Sequence, residues 1–189
     1  MIDIHAVITL TSSEWEILDS VLEKVTIPKN DFLLKEGSVC DFIAMVCSGV
    51  LVYYKTMENG NEVTTDFAFE GDWVTNNYSR LNGSPSHLNI KAIEDSELWV
   101  IKHRELNRLY EQIPALEHFS RILMEQAYVK LVELSIDLQT LSATERYLKL
   151  LQDYPEIFQK VPLYHIANYL GIAPKSLSRI RNTAFPGMK

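Results

Sequence analysis

Five side chains in the stretch VPLYHIANYLGIAPKSLSRIRN, residues 161–182, are of the types that grip a polyanion: Lys175, Ser176, Ser178, Arg179 and Arg181. Ammonium and guanidinium groups neutralise phosphates, hydroxyls donate to phosphate oxygens, and an arginine fork matches the major-groove edge of guanine. Nothing in the spacing pairs a nucleophile with a base, so the chemistry it suits is recognition and not bond breaking.

Positioning these side chains requires a helix with its own apolar anchor. Leu177 and Ile180 supply that stripe, and Pro174 suits the first helical position. Upstream, Ile166, Ala167 and Leu170 share one face of a preceding helix that can start at Pro162, and Gly171 permits the left-handed turn between the two. Ala173 falls at the N-cap of the second helix, where Ser or Thr would satisfy a free N–H, at a cost of roughly 1 kcal/mol. Two short helices around a tight turn read as a helix-turn-helix whose second helix a major groove accepts. The plain alternative is an ordinary helical hairpin with a basic exposed face.

Charge favours the first reading. The chain has 189 residues, with 18 Lys and Arg against 25 Asp and Glu and a net charge of −7. Residues 142–189 nonetheless hold seven basic against three acidic residues, a balance of +4, which leaves residues 1–141 at −11. A basic tail on an acidic body predicts a nucleic-acid face held away from the rest.

The segment IANYLGIAPKSLSRI, residues 166–180, resembles the Crp/Fnr family of bacterial transcription regulators, and the resemblance runs across nearly the whole chain. It implies an α+β fold with three parts. Residues 1–113 would form an antiparallel β-roll, a jelly roll like that of cyclic-nucleotide-binding domains. Residues 114–141 would form a long dimerisation helix and hinge, and residues 142–189 an all-α helix-turn-helix domain. Arg179 aligns with a base-contacting arginine of the family; Lys175 and Ser176 follow as base or phosphate contacts, and Arg181 as a phosphate contact.

Holding a cyclic nucleotide takes backbone donors near the phosphate, a carboxylate for the ribose hydroxyl and an arginine for two phosphate oxygens. In the family these come from a Gly-Glu turn and a later Arg-Ser or Arg-Thr pair. Gly71-Asp72 aligns with the first, the acid shortened by one methylene, while Gly83-Ser84 occupies the second and the arginine is gone. Arg80 could swing in but reads as an exposed residue at a helix end. Gly71, Asp72, Arg80, Gly83 and Ser84 are therefore the candidate lining of a pocket that is not built for cAMP. It either takes another small-molecule effector or is vestigial. Asn76, Asn77, Tyr78, Ser79 and Asn82 make the segment polar without charge, which suits a neutral or weakly polar ligand. His87 reads as structural before it reads as a proton switch or haem ligand.

Cys40 and Cys47 are the only cysteines, and their spacing is no metal-ligand pattern, so they read as buried free thiols. The cluster needed for the iron–sulfur sensing of one family branch is absent from the sequence given. No metal, cofactor or catalytic residue is assigned. No run approaches the roughly 18 apolar residues of a membrane span, and MIDIHAVITL lacks the pattern of a secretion signal, so a cytoplasmic protein without membrane contact is expected.

The remaining elements follow from patterning. The capping box Thr11-Ser-Ser-Glu14 predicts a first helix over about 12–24. From Val25, β-rich runs broken by turn residues predict the roll, with Asn59-Gly60 the sharpest hairpin signal because both tolerate positive φ. A short helix over 103–111 precedes Pro114. Then Leu116, Phe119, Leu123, Ala127, Leu131, Leu134, Leu138 and Leu141 step by three or four, while Ile122, Met124, Val129, Val132 and Ile136 lie off that stripe. One face should pack on the roll and the other on the same helix of a second subunit. Leu138 to Leu141 is the expected hinge, before a second capping box, Ser142-Ala-Thr-Glu145.

The expectation is a homodimeric, sequence-specific DNA-binding regulator controlled by an unidentified signal at the roll. The alternative is a ligand-binding or protein-interaction module with a degenerate helix-turn-helix. It is motivated by Ala173 and by the tail TAFPGMK, which is too short for a β-hairpin wing.

Overall fold

The computed structural model describes residues 4–184. In chain order the elements are α1 (Ile4–Val7), α2 (Ser12–Asp19), β1 (Glu23–Ile27), β2 (Phe32–Leu34), β3 (Phe42–Ser48), β4 (Leu51–Thr56), β5 (Glu62–Ala68), β6 (Trp73–Val74), α3 (Asn77–Asn82), β7 (Asn89–Ala92) and β8 (Ser96–Lys102). The helices α4 (His103–Gln112), α5 (Pro114–Thr140), α6 (Ala143–Asp153), α7 (Ile157–Lys160), α8 (Leu163–Tyr169) and α9 (Pro174–Ala184) follow. The expected α+β fold with a long helix is present.

Two antiparallel four-stranded sheets, ordered β1-β8-β3-β6 and β2-β7-β4-β5, face each other. Alternation along β3 buries Phe42, Ala44 and Val46, which meet Leu51, Val74, Ile90 and Leu98 between the sheets. The first helix is shorter than expected. The Thr11–Glu14 capping box forms, but α2 ends at Asp19, and residues 23–27 pair instead with β8, from Glu23 opposite Val100 to Ile27 opposite Ser96. Five residues of antiparallel pairing outweigh continuing the helix to residue 24. At the Asn59-Gly60 hairpin only Gly60 takes positive φ; its N–H donates to the Met57 carbonyl, and Asn59 instead uses its side chain to accept from the Asn61 N–H.

Helix α5 packs over its first turns only. Leu116 and Phe119 are buried with Leu18, Leu106, Leu109 and Ile113, and Leu123 is half-buried. Further along, Tyr128 (68% exposed), Val129, Leu131 (63%), Val132, Ile136 (52%) and Leu138 lie open. The roll thus covers less of this helix than one whole face. The break falls at Leu141, in an extended conformation, and Ser142 then caps α6. Lys149 pairs with Asp137 across this break, and the Arg146 guanidinium donates to the Leu141 and Leu170 carbonyls.

The helices after the break are not held away from the roll. Tyr147, Leu150, Ile157, Ile166, Ala167 and Leu177 form one core with Val52, Tyr54 and Phe67 of β4 and β5. Helix α8 covers β5, the edge strand of its sheet, which would otherwise present unpaired backbone groups.

Candidate functional site

The helix-turn-helix forms where the sequence predicts it. Gly171 ends α8 at φ +67°, its N–H donating to the Asn168 carbonyl while the Ile172 N–H donates to Ala167. Pro174 opens α9, and the Ala173 carbonyl accepts from Ser176 and Leu177 N–H. Leu177 is fully buried and Ile180 half-buried, which turns Lys175, Ser178 and Arg179 to the exposed side. Ser176 is half-buried at the edge of that face. Arg181 has a different setting: half-buried, its guanidinium lies 5.0 Å over the Phe158 ring. Its charge also tempers the upward push that burial gives the Tyr147 phenol. Arg181 is thus committed to the core of its own domain. Residues 185–189, on which the expectation of a missing wing rests, lie outside the described residues.

Polar contacts fasten α8 to the roll. The Asn168 amide donates to the Glu62 carbonyl, Tyr164 Oη lies 3.2 Å from Glu62 Oε2, and His165 Nδ1 lies 3.2 Å from Thr64 Oγ1. Burial, with a smaller contribution from Lys91, lowers the His165 pKa from its ordinary 6.5, against the opposing pull of Glu62.

A cavity of about 630 Å³ opens between the roll, α5 and the C-terminal helices. Three of the five predicted pocket residues line it: Gly71, Asp72 and Arg80. Gly71 adopts φ +84°, and Asp72 accepts from the Phe69 N–H at 2.9 Å, so one carboxylate oxygen is spent on its own turn. Arg80 is half-buried, not exposed, because two partners hold it: Asn77 Oδ1 at 2.8 Å and His103 Nδ1 at 3.1 Å. Gly83 and Ser84 do not line the cavity. Gly83 ends α3 at φ +60°, and the Ser84 N–H closes on the Ser79 carbonyl, so the segment where the family carries its phosphate arginine serves here as a helix terminus. Ser79 itself is buried and donates its hydroxyl to the Ser84 carbonyl. His87 stacks edge-on against Tyr78 at 4.9 Å. Cys40 is buried beside Thr75, and Cys47 is half-buried.

The cavity also gathers residues that sequence reasoning missed: Tyr53, Asp66, Lys130, Tyr154 and Tyr169. Lys130 of α5 lies 3.5 Å from Asp66 of β5 and 3.1 Å from the Tyr154 hydroxyl at the end of α6. About half of each charged side chain, 53% for Lys130 and 46% for Asp66, stays accessible, opening on the cavity that both line. The surrounding walls push the Asp66 carboxyl up, with Lys130 opposing. Burial would lower the Lys130 ammonium, but Asp66 and Tyr154 outweigh it and hold it above the ordinary lysine value. Tyr169 is raised to about 12, first by burial and then by Asp66. No local motif marks these residues; the nearest signal in the sequence is four aromatics and an acid at positions 53–54 and 66–69.

Comparison with known proteins agrees with this architecture. Residues 24–113 match the cyclic nucleotide-binding domain family. The fumarate and nitrate reduction regulatory protein of Vibrio cholerae is 27% identical over 184 residues, covering 91% of this chain and 73% of that protein. The transcriptional activator protein Anr of Pseudomonas aeruginosa is 23% identical, covering 92% and 75%. FixK2 from Bradyrhizobium japonicum shares the fold with a TM-score of 0.71 at 18% identity, over 89% of this chain and 90% of that one. Residues 24–113 thus match a cyclic nucleotide-binding domain, and over nearly its whole length the chain is similar to regulators of the Fnr and Anr type.

Proposed function

We propose that this protein is a cytoplasmic, homodimeric, sequence-specific DNA-binding transcription regulator and not an enzyme, with its sensor in residues 1–113, its dimerisation helix and hinge in 114–141 and its DNA-reading domain in 142–189. The observation that carries the reading is the two-sided α9: Leu177 is fully buried, while Lys175, Ser178 and Arg179 stand exposed on the far side. Paired recognition helices would enter successive major grooves about 34 Å apart. Arg179 reads a base, Lys175 and Ser176 contribute base or phosphate contacts, and Ser178, whose hydroxyl proton goes to the Pro174 carbonyl at 3.1 Å, keeps lone pairs free as an acceptor. Arg181, seated on Phe158, supports the helix more than it contacts phosphate.

The sensor signal is read at the cavity. Tight cAMP binding is not supported, because the one nearby arginine is spent on Asn77 and His103. The cavity touches roll, long helix and DNA-reading helices together, so an occupant would bias how α9 is presented.

The test is selection of bound duplexes from a random library at fixed, near-physiological salt, with wild type and Arg179→Ala compared. A palindromic motif enriched by wild type and lost in the variant is expected, since a guanine-reading arginine contributes roughly 1–3 kcal/mol of discrimination. Equal enrichment by both proteins would remove Arg179 from the reading role. Binding insensitive to salt would favour a module that no longer reads DNA.

A further inference from the structure

The lining of the cavity is unlike that of a phosphate pocket, and the inference drawn from it rests on reading the cavity as the sensor site. Two carboxylates, Asp66 and Asp72, share it with Tyr53 and Phe67 of the roll and Tyr154 and Tyr169 of the C-terminal helices. One cation already occupies this setting. The Lys130 ammonium lies 3.5 Å from Asp66, 3.1 Å from the Tyr154 hydroxyl and 5.8 Å from the centre of the Tyr154 ring. A carboxylate, a phenol oxygen and an aromatic face are the partners an alkylammonium group prefers. The group that would favour an anion instead, the Arg80 guanidinium, is held by Asn77 and His103.

We propose that the cavity takes an amphipathic organic amine, whose ammonium replaces that of Lys130 on Asp66 and whose apolar body lies against Phe67 and Tyr169. The volume of about 630 Å³ is that of a small-molecule site, and its walls are more apolar than polar. This differs from the neutral ligand that the asparagines of residues 76–82 suggest, because those residues lie mainly on α3 while the charged pair comes from β5 and α5. Lys130 acts as a tethered competitor. When the amine displaces it, α5 loses its bond to Tyr154, the residue that caps α6, and one of the ties between the sensor side and the DNA-reading helices is released. Burial and the neighbouring Asp72 both disfavour a bare Asp66 carboxylate, and a bound cation offsets both.

The experiment is isothermal titration calorimetry of the full chain at neutral pH, without DNA, using three probes of one shape: phenethylammonium, phenylpropanoate and phenethyl alcohol. The amine is expected to bind at least about tenfold more tightly than the acid or the alcohol. Asp66→Asn should weaken it by about tenfold or more, and Lys130→Met, which removes the resident competitor, should tighten it. Should Asp66→Asn fail to fold, as judged by circular dichroism, Lys130→Met alone decides. The proposal is overturned by equal or tighter binding of the acid or alcohol, by unchanged amine affinity in Asp66→Asn, by weaker binding in Lys130→Met, or by no binding of any probe at millimolar concentration. Arg179→Ala should bind the amine as wild type does, so failure of the DNA-reading assignment and failure of the amine site give different results.

Discussion

Arg179 and Arg181 stand two positions apart and carry the same charge, yet only the first is free to meet another molecule. Two residues along a helix turn a side chain by about 200°, which takes the second guanidinium from the solvent face to the aromatic edge of its own core. Residue type alone cannot separate the two; the ring of Phe158 does. The same limit explains why Asp66 and Lys130 went unseen, since they are 64 positions apart and neither sits in a recognisable pattern. Gly49 shows the opposite case, a requirement written into one position. It adopts φ +92°, and a Cβ there would lie 2.2 Å from Ser96 Oγ and 2.7 Å from the Asp95 carbonyl. Gly49→Ala is expected to destabilise the roll by roughly 3 kcal/mol, from left-handed strain plus the forced shift of the strand start at Ser96. A urea midpoint unchanged from wild type would show that the chain can relax at that corner.

At the scale of elements, strands were the most legible part. Turn residues bound the β-rich runs, and alternate burial along β3 fixes its register, whereas β4 and β5 are buried on both faces, Leu51 and Ala68 between the sheets and Val52, Tyr54 and Phe67 against the C-terminal helices. The overrun of α2 shows where this fails: residues 20–24 fit a helix locally and are overruled by a partner strand more than seventy positions away. The seating of α8 on β5 had no sequence signal either, for its contacts join residues about a hundred positions apart. That seam carries its own prediction. The folded pKa of His165 lies below 6.5, so as pH falls below 6.5 an open or unfolded chain takes up the proton before the docked one does. Stability contributed by the neutral imidazole is present above 6.5 and is lost as pH drops towards the folded value. Wild type should lose stability between pH 6.5 and mildly acidic conditions relative to His165→Gln, and urea denaturation of both proteins across that range measures the difference. Parallel curves would mean that His165 titrates as an exposed histidine does. Asp66, whose pKa is raised, acts with the opposite sign, and subtraction of the variant curve removes its contribution.

At the scale of the molecule, the open length of α5 is what the proposed homodimer would cover. Beyond Leu123 the helix has no buried apolar residue, yet Val129, Val132 and Ile136 repeat at spacings of three and four along it. Such a stripe suits the seam of the proposed dimer, a two-stranded coiled coil, since β-branched residues at such positions favour two strands over three or four. The other stripe, through Leu131 and Leu134, borders the cavity, so the proposed ligand and the proposed partner would use different sides of the helix. A lone helix with this much exposed apolar surface would be marginal in water, and pairing with its copy is the economical cover. Ile136 does not line the cavity, and the residue is 52% exposed. Ile136→Asp should therefore leave the circular dichroism of the roll intact while sedimentation shows a monomer, because the variant places two carboxylates face to face in the seam. DNA affinity should fall by about 100-fold or more, since the second recognition helix loses the effective concentration that the linked pair provides. A variant that remains dimeric with unchanged affinity would move the interface off this seam and onto the Leu131 side, where dimer formation and cavity occupancy would compete for the same face.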